Sequence, residues 1–223
     1  MNQLPLALGG LDAPDFEHFW HGPDALAMAR LRALAAAPGA AQVLLEGGTA
    51  TGKTHLLLAT CDAARQNGFS VAYLPLQKLD ADSLTEPVDA DLVAIDNVDQ
   101  ALGDRALALW LFAQINRQHD RGRALLLAMR APADAAVVLP DLVSRLALAE
   151  KLHLPPHDDA ARKAILLHRA AHAGIPLEPA AAEHLLRHHS RDLHALLARL
   201  AELDREALAR GRRITVPLVR DVL

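Results

Sequence analysis

With 223 residues, 52% of them hydrophobic, the chain is long enough for one large domain, or a medium one and a small one. A formal charge of −4 gives no support to a general nucleic-acid surface, and scarce aromatics beside abundant Ala and Leu favour helices packed through small side chains. Cys61 is the only cysteine, no apolar stretch reaches membrane-spanning length without charge or proline, and the first residues lack a signal-peptide pattern, so an internal disulfide and a membrane span are excluded and a reducing cytoplasm is expected.

Residues 1–15 (MNQLPLALGGLDAPD) read as an extended tail, because Pro5, Gly9, Gly10 and Pro14 oppose regular structure. Leu4, Leu6 and Leu8 either pack back on the domain or form a short motif that docks in a partner's groove. Phe16, Phe19 and Trp20 form the densest aromatic cluster; it is an anchor for the first helix or a wall for an adenine base. Residues 23–37 are helical by composition and periodicity, and Pro38-Gly39 ends that helix.

Val43–Leu58 (VLLEGGTATGKTHLLL) organises the rest. Gly47, Gly52, Lys53 and Thr54 fit G-x-x-x-x-G-K-[ST], the phosphate-binding P-loop, between an apolar strand at 43–46 and a helix at 53–66. Backbone N–H groups of such a loop cradle phosphate oxygens, and the helix adds the positive end of its dipole. Lys53 is expected to neutralise the terminal phosphates and Thr54 to ligate Mg²⁺. Cys61 reads as core of this helix. Asn67-Gly68 closes it.

A second strand is expected at 70–75, a short helix and loop at 77–90, and a buried strand at 91–96 (DLVAID). Asp96 ends that strand beside the P-loop, the Walker B arrangement, and is the second expected Mg²⁺ residue. The next residue is Asn97, a poor base; Asp99 lies two further on. Slow intrinsic hydrolysis follows. An amphipathic helix at 104–119 and apolar strands at 124–129 and 151–154 complete a mostly parallel sheet with helices on both faces.

Arg145, in LPDLVSRL, is either a solvated arginine at a helix end or an arginine finger acting on a neighbour's nucleotide. Past Pro155-Pro156 no strand pattern remains, and helices are expected at 158–173, 178–188, 191–209 and 216–222. Arg191 opens the third of these. It reaches the phosphates across a domain cleft, or is a first-turn surface residue with Ser190 as N-cap. His168 and His172, and again His184 and His188, are four apart on helices; without H-E-x-x-H or a supporting cysteine they read as surface or interhelical groups rather than zinc ligands.

With these residues in order, the chain resembles an AAA+ ATPase of the bacterial replication-initiator clade. GGTATGKTHLL is similar to the P-loop of DnaA, including His55 after Thr54. The sequence ends with ITVPLVRDVL, where DnaA goes on to a helix-turn-helix DNA-binding domain. QLPLAL is similar to the motif that binds the sliding clamp of DNA polymerase. That combination, with LPDLVSRL and RDLHALLARLAELDR, is the pattern of the Hda family of regulatory inactivators.

The resemblance implies three parts: a clamp-binding tail at 1–15, an AAA+ nucleotide-binding α/β domain at 16–154, and an α-helical lid at 155–223. It implies that Gly47, Gly48, Thr49, Ala50, Thr51, Gly52, Lys53, Thr54, His55 and Arg191 hold ADP (or ATP), with Mg²⁺ on Thr54 and Asp96. It further implies that Gln3, Leu4, Leu6 and Leu8 dock on the β subunit clamp of DNA polymerase III, so that DNA is met indirectly, and that Arg145 acts in trans on ATP bound to DnaA. The hydrolysis it stimulates prevents re-initiation, and a homodimer or higher oligomer is consistent with the fold.

Two departures stand out. Ala7 occupies a position where the clamp motif usually has a proline or aromatic, and Ala128 or Met129 stands where the family has a polar sensor. Both suit a nucleotide binder that hydrolyses poorly. The competing readings are a self-sufficient P-loop kinase or motor ATPase, and a helicase-loader-like factor.

Overall fold

The continuous apolar runs become the inner strands. In this computed structural model, which describes residues 14–20, 22, 25–78, 86–130 and 138–223, two compact units are formed. One is residues 23–156; the other joins the described residues up to Gly22 with His157–Leu223. The expected clamp-binding residues Gln3, Leu4, Leu6 and Leu8, and Ala7 among them, lie outside the described residues, as does 79–85 of the expected helix and loop.

The larger unit begins with α1 (Ala25–Ala36) and β1 (Gln42–Gly47), followed by α2 (Lys53–Gln66) and β2 (Val71–Pro75). A single 3₁₀ turn at Leu76–Lys78 precedes the next strand, β3 (Leu92–Asp96). Then come α3 (Asp99–Gly103), α4 (Arg105–Asp120), β4 (Ala124–Met129), α5 (Pro140–Ala147) and β5 (Glu150–Leu154). The strands are all parallel, in the order β2-β3-β4-β1-β5.

Inner strands β3 and β4 are buried at every position, as a sheet covered on both faces requires. Edge strand β5 instead alternates, with Lys151 and His153 exposed and Leu152 and Leu154 buried. Asp96 ends β3, which is not the strand next to β1. β4 lies between, pairing Leu45 with Ala128 and Leu127 with Ile95. Period and polarity identify strands but carry no information on their lateral order.

Two helices had no expected range, α5 being implied only by the reading of Arg145 as a helix-end residue. α3 is too short for a periodic signal. α5 has its signal in Pro140 at the first turn, where a missing N–H costs nothing, with Leu142 and Leu146 buried one turn apart. On α4, whose N-cap Asp104 accepts from Ala106 and Leu107 N–H, two buried glutamines pin the approach to β3. Gln114 both accepts from and donates to the Val88 backbone, and Gln118 donates to the Ala90 and Ala124 carbonyls. Cys61 is buried in α2, and burial pushes its thiol up to about 12, so it is core and not a reactive group.

Leu127 on β4 packs in the core cluster with Leu44, Ile95, Leu111 and Ile115. Leu127→Ala removes buried methyls from a site flanked by strands on both sides, which cannot collapse easily. We expect a loss of about 2–5 kcal/mol in urea unfolding; a loss well under 1 kcal/mol would contradict this packing.

The second unit contains α6 (Asp159–His172), α7 (Pro179–His188), α8 (Leu193–Arg210) and α9 (Val216–Val222). Leu166, Leu185, Leu196, Leu200, Leu203 and Val219 fill its core, and an isolated bridge joins Leu177 to Ile214. The start of α8 differs from expectation. Asp192, not Ser190, is its N-cap and accepts from Ala195 N–H at 2.9 Å, so Arg191 precedes the helix instead of opening it. Ser190 Oγ instead accepts from Asp192 N–H.

Phe16 and Phe19 are buried, and their segment groups with α6–α9. His168 Nε2 lies 3.0 Å from Glu17 O, and the Arg169 guanidinium donates to His18 O at 3.4 Å. The His168 and His172 rings lie 4.4 Å apart, and those of His184 and His188 4.3 Å apart. No metal-binding group of three or more His, Cys, Asp or Glu occurs among the described residues. Nor is any described helix long and apolar enough to cross a membrane.

His157 meets Trp20 edge-on, with ring centroids 6.3 Å apart. Burial, aided by Arg162 and opposed by Asp158, holds its imidazole below the usual value of 6.5. Folding therefore favours the neutral ring. Its contribution is complete above pH 6.5 and is lost as pH falls from there through the folded value. In a Trp110→Phe background, Trp20 fluorescence is expected to titrate with a midpoint below 6.5. A midpoint above that value would reverse the sign.

Candidate functional site

β1 delivers the P-loop at the C-terminal end of the sheet, and α2 leaves it. Gly47 pairs with Leu154 in β5, and a Cβ there would stand 2.7 Å from Thr51 Oγ1 and 2.8 Å from Leu154 O. Only glycine fits. Ala50 (φ 58°) and Gly52 (φ 93°) turn the chain through left-handed conformations, the geometry in which successive N–H groups converge into an anion nest. Thr51 Oγ1 donates to Gly48 O at 3.0 Å and braces the loop.

The Lys53 amine donates to the carbonyls of Gly47, at 2.9 Å, and Gly48. Desolvation lowers its pKa, Asp96 and Asp99 oppose the shift, and Arg130 adds to it. The cation is thus held across the loop beside two carboxylates. Thr54 Oγ1 donates to Asp96 Oδ2 at 2.7 Å. Although β4 separates their strands, the first turn of α2 brings the two oxygens together.

Asp96 is 3% exposed and fully engaged. Its Oδ1 accepts from Asn97 N–H at 2.9 Å, and its Oδ2 also accepts from the Tyr73 hydroxyl at 3.3 Å. Burial first, then the Asp96 charge, keeps the Tyr73 hydroxyl protonated far into alkali. Thr54 and Asp96 are hard oxygen donors of the kind Mg²⁺ prefers, so the residues present fit that ion. Glycines, nest and lysine likewise fit a phosphate chain.

The position after the Walker B acid is unsuited to activating water. Asn97 has φ 59°, with its amide tied to Asp96. Asp99 accepts from the Arg130 guanidinium at 2.8 and 3.0 Å and from its backbone N–H at 3.2 Å. Met129, at the end of β4, is buried, and the Ala128 carbonyl accepts from Val98 N–H. Sequence reading missed Arg130 and Tyr73. Arg130 is the first polar residue after the β4 run, a signal that was there to use; Tyr73 left none.

Arg145 lies elsewhere. It sits in the last turn of α5 and lines a cavity of about 300 Å³ with Ala40, Gln42, His119, Leu148 and Glu150. Gln42 and Glu150 are the first residues of β1 and β5, at the end of the sheet opposite the P-loop. At roughly 3.3 Å per residue, β1 alone separates the two ends by about 16 Å. The guanidinium carbon stands 5.9 Å from the centroid of Phe112 on α4, a cation–π contact. Among the described residues Arg145 has no carboxylate partner. Arg191, in the other unit, pairs with Asp159 at 3.5 Å and is largely exposed.

Two family profiles match the chain: the "IstB-like ATP binding protein" family over residues 1–127 and "Hda, lid domain" over residues 159–223. Among solved structures, domain III of the Thermotoga maritima replication initiation protein DnaA is 22% identical, with a TM-score of 0.79 over 94% of this chain and 95% of that one. DnaA from Aquifex aeolicus bound to AMPPCP is 18% identical, with a TM-score of 0.67 over 90% and 71%. The Thermotoga maritima RuvB Holliday junction branch migration motor is 16% identical, with a TM-score of 0.66 over 96% and 72%.

Proposed function

This chain belongs to the IstB-like ATP-binding proteins, as an Hda-like, DnaA-related AAA+ protein with a C-terminal helical lid, and we propose that it is a cytoplasmic regulator of replication initiation that carries ADP and acts on DnaA. In this reading Gln3, Leu4, Leu6 and Leu8 dock on the sliding clamp loaded on DNA. Arg145 then enters the ATP site of DnaA and stimulates hydrolysis there.

The observation that carries the reading is the separation of the two halves of the chemistry. The phosphate cradle is at one end of the sheet and Arg145 at the other, uncommitted and stacked on Phe112. A finger so placed serves a nucleotide on another molecule. The chain's own site holds phosphates with the loop N–H groups and Lys53, but Asn97 is no base and Asp99 is engaged by Arg130. Mg²⁺, when bound by Thr54 and Asp96, supplies charge neutralisation for the phosphates. The family resemblance gives Arg191 to the nucleotide as well; within its own unit its exposed pair with Asp159 is of the kind worth little, so the side chain is available to a ligand.

The test is hydrolysis of ATP prebound to DnaA, with and without this protein, in the presence of clamp loaded on DNA. Stimulation that requires both the clamp and residues 1–10 supports the proposal. Brisk hydrolysis by this protein alone would favour a self-sufficient ATPase instead.

A further inference from the structure

Arg145 lines its cavity together with one carboxylate, Glu150, only five residues along the chain. A finger beside an acid is at risk of being captured by it. Here the acid is already occupied. Arg30, on α1, donates Nε–H to Glu150 Oε2 at 2.7 Å. The two residues are 120 positions apart in sequence, and Arg30 is half-buried on a helix whose buried face is Ala27, Met28, Leu31, Leu34 and Ala35.

We propose that Arg30 is a positioning residue for Arg145: by engaging Glu150 it leaves the Arg145 guanidinium on the Phe112 ring, charged and free to enter a partner's nucleotide site. This rests on the proposed function, since it concerns the same arginine. The ion pair has little else to do. Both side chains are partly exposed, at 29% for Arg30 and 46% for Glu150. Exposed pairs contribute little to stability. Conversely, among the described residues Arg145 is held at Phe112 only by a weak π contact, which a neighbouring carboxylate without a partner would outcompete.

The experiment measures stimulated hydrolysis of DnaA-bound ATP at the loaded clamp by a set of full-length variants, with ADP affinity as the check on folding. Arg30→Ala is expected to lower stimulation by up to about fivefold, the population shift that an exposed ion pair of about 1 kcal/mol produces, with ADP affinity unchanged. Arg30→Lys keeps the charge and retains stimulation. Glu150→Gln alone leaves stimulation at the parent level, and Arg30→Ala/Glu150→Gln restores it.

Parent-level stimulation by Arg30→Ala overturns the proposal. So does a loss that Glu150→Gln does not rescue, since removing the acid then fails to free the finger. So does a loss in Glu150→Gln by itself. Arg145→Ala, run alongside, separates this from the wider reading: if it stimulates normally, Arg145 is no finger and the proposed function fails with it. If it is inactive while Arg30→Ala behaves like the parent, only the role of Arg30 is lost.

Discussion

Arg145→Ala is expected to leave ADP affinity and folding unchanged while removing nearly all stimulation of the partner, a loss of about 10³–10⁵ in rate. The size follows from what a finger does. It places a full positive charge against oxygens that gain negative charge in the transition state, in a site where water is excluded. The selectivity follows from position. Arg145 is on α5 beside the first residues of β1 and β5, while Lys53, Thr54 and Asp96 are at the other end of the sheet. Removing a half-buried guanidinium from the Phe112 ring costs one cation–π contact, about 0.5–1 kcal/mol at such sites, too little to unfold the unit. Loss of ADP binding in the variant would make Arg145 a structural residue, and retained stimulation would remove it from the chemistry. Arg145→Lys is no substitute, since a point charge on a flexible stem lacks the planar fork.

Lys53→Ala carries the second largest effect: ADP affinity is expected to fall between about ten- and a hundredfold, the size of one lost charge-assisted hydrogen bond of 1.5–3 kcal/mol. The amine now donates to the Gly47 and Gly48 carbonyls, and Asp96 and Asp99 oppose the desolvation that favours its neutral form. A phosphate chain entering the cradle brings further negative charge, which holds the lysine protonated. Gly48 is exposed, so its carbonyl meets water when the amine is removed, and the nucleotide-free protein stays folded. What disappears is the rise in melting temperature on adding ADP, which depends on binding to the folded state. Titration calorimetry showing parent-like affinity would take Lys53 out of the phosphate site.

The two variants also separate the halves of the protein. Under the proposed function, Lys53→Ala acts on the nucleotide in the chain's own loop and Arg145→Ala on a nucleotide held by the partner.

Much of this was legible in one dimension. The P-loop is a contiguous motif, so the spacing of Gly47, Gly52, Lys53 and Thr54 was enough to expect a loop between a strand and a helix, and β1 and α2 flank it. Asp96 was marked by the apolar run it ends, and the change at Pro155-Pro156 from alternating strands and helices to helices alone matched the start of α6 at Asp159. Continuous apolar runs identified β3 and β4 as inner strands because a parallel sheet covered on both faces demands them.

What the sequence by itself determined, then, is what is local: the strands and all helices but α3 and α5, the glycine loop between β1 and α2, the amide at Asn97 and the apolar end of β4. Only the tertiary structure decided what depends on lateral order and on pairs distant in the chain. It put β4 between β1 and β3, closed Asp99 with Arg130 across 31 positions, set Tyr73 on Asp96, and carried Arg145 to the far end of the sheet. Periodicity reports which face of an element is buried, whereas the partner on that face is chosen by strand order and helix packing, which no local spacing encodes.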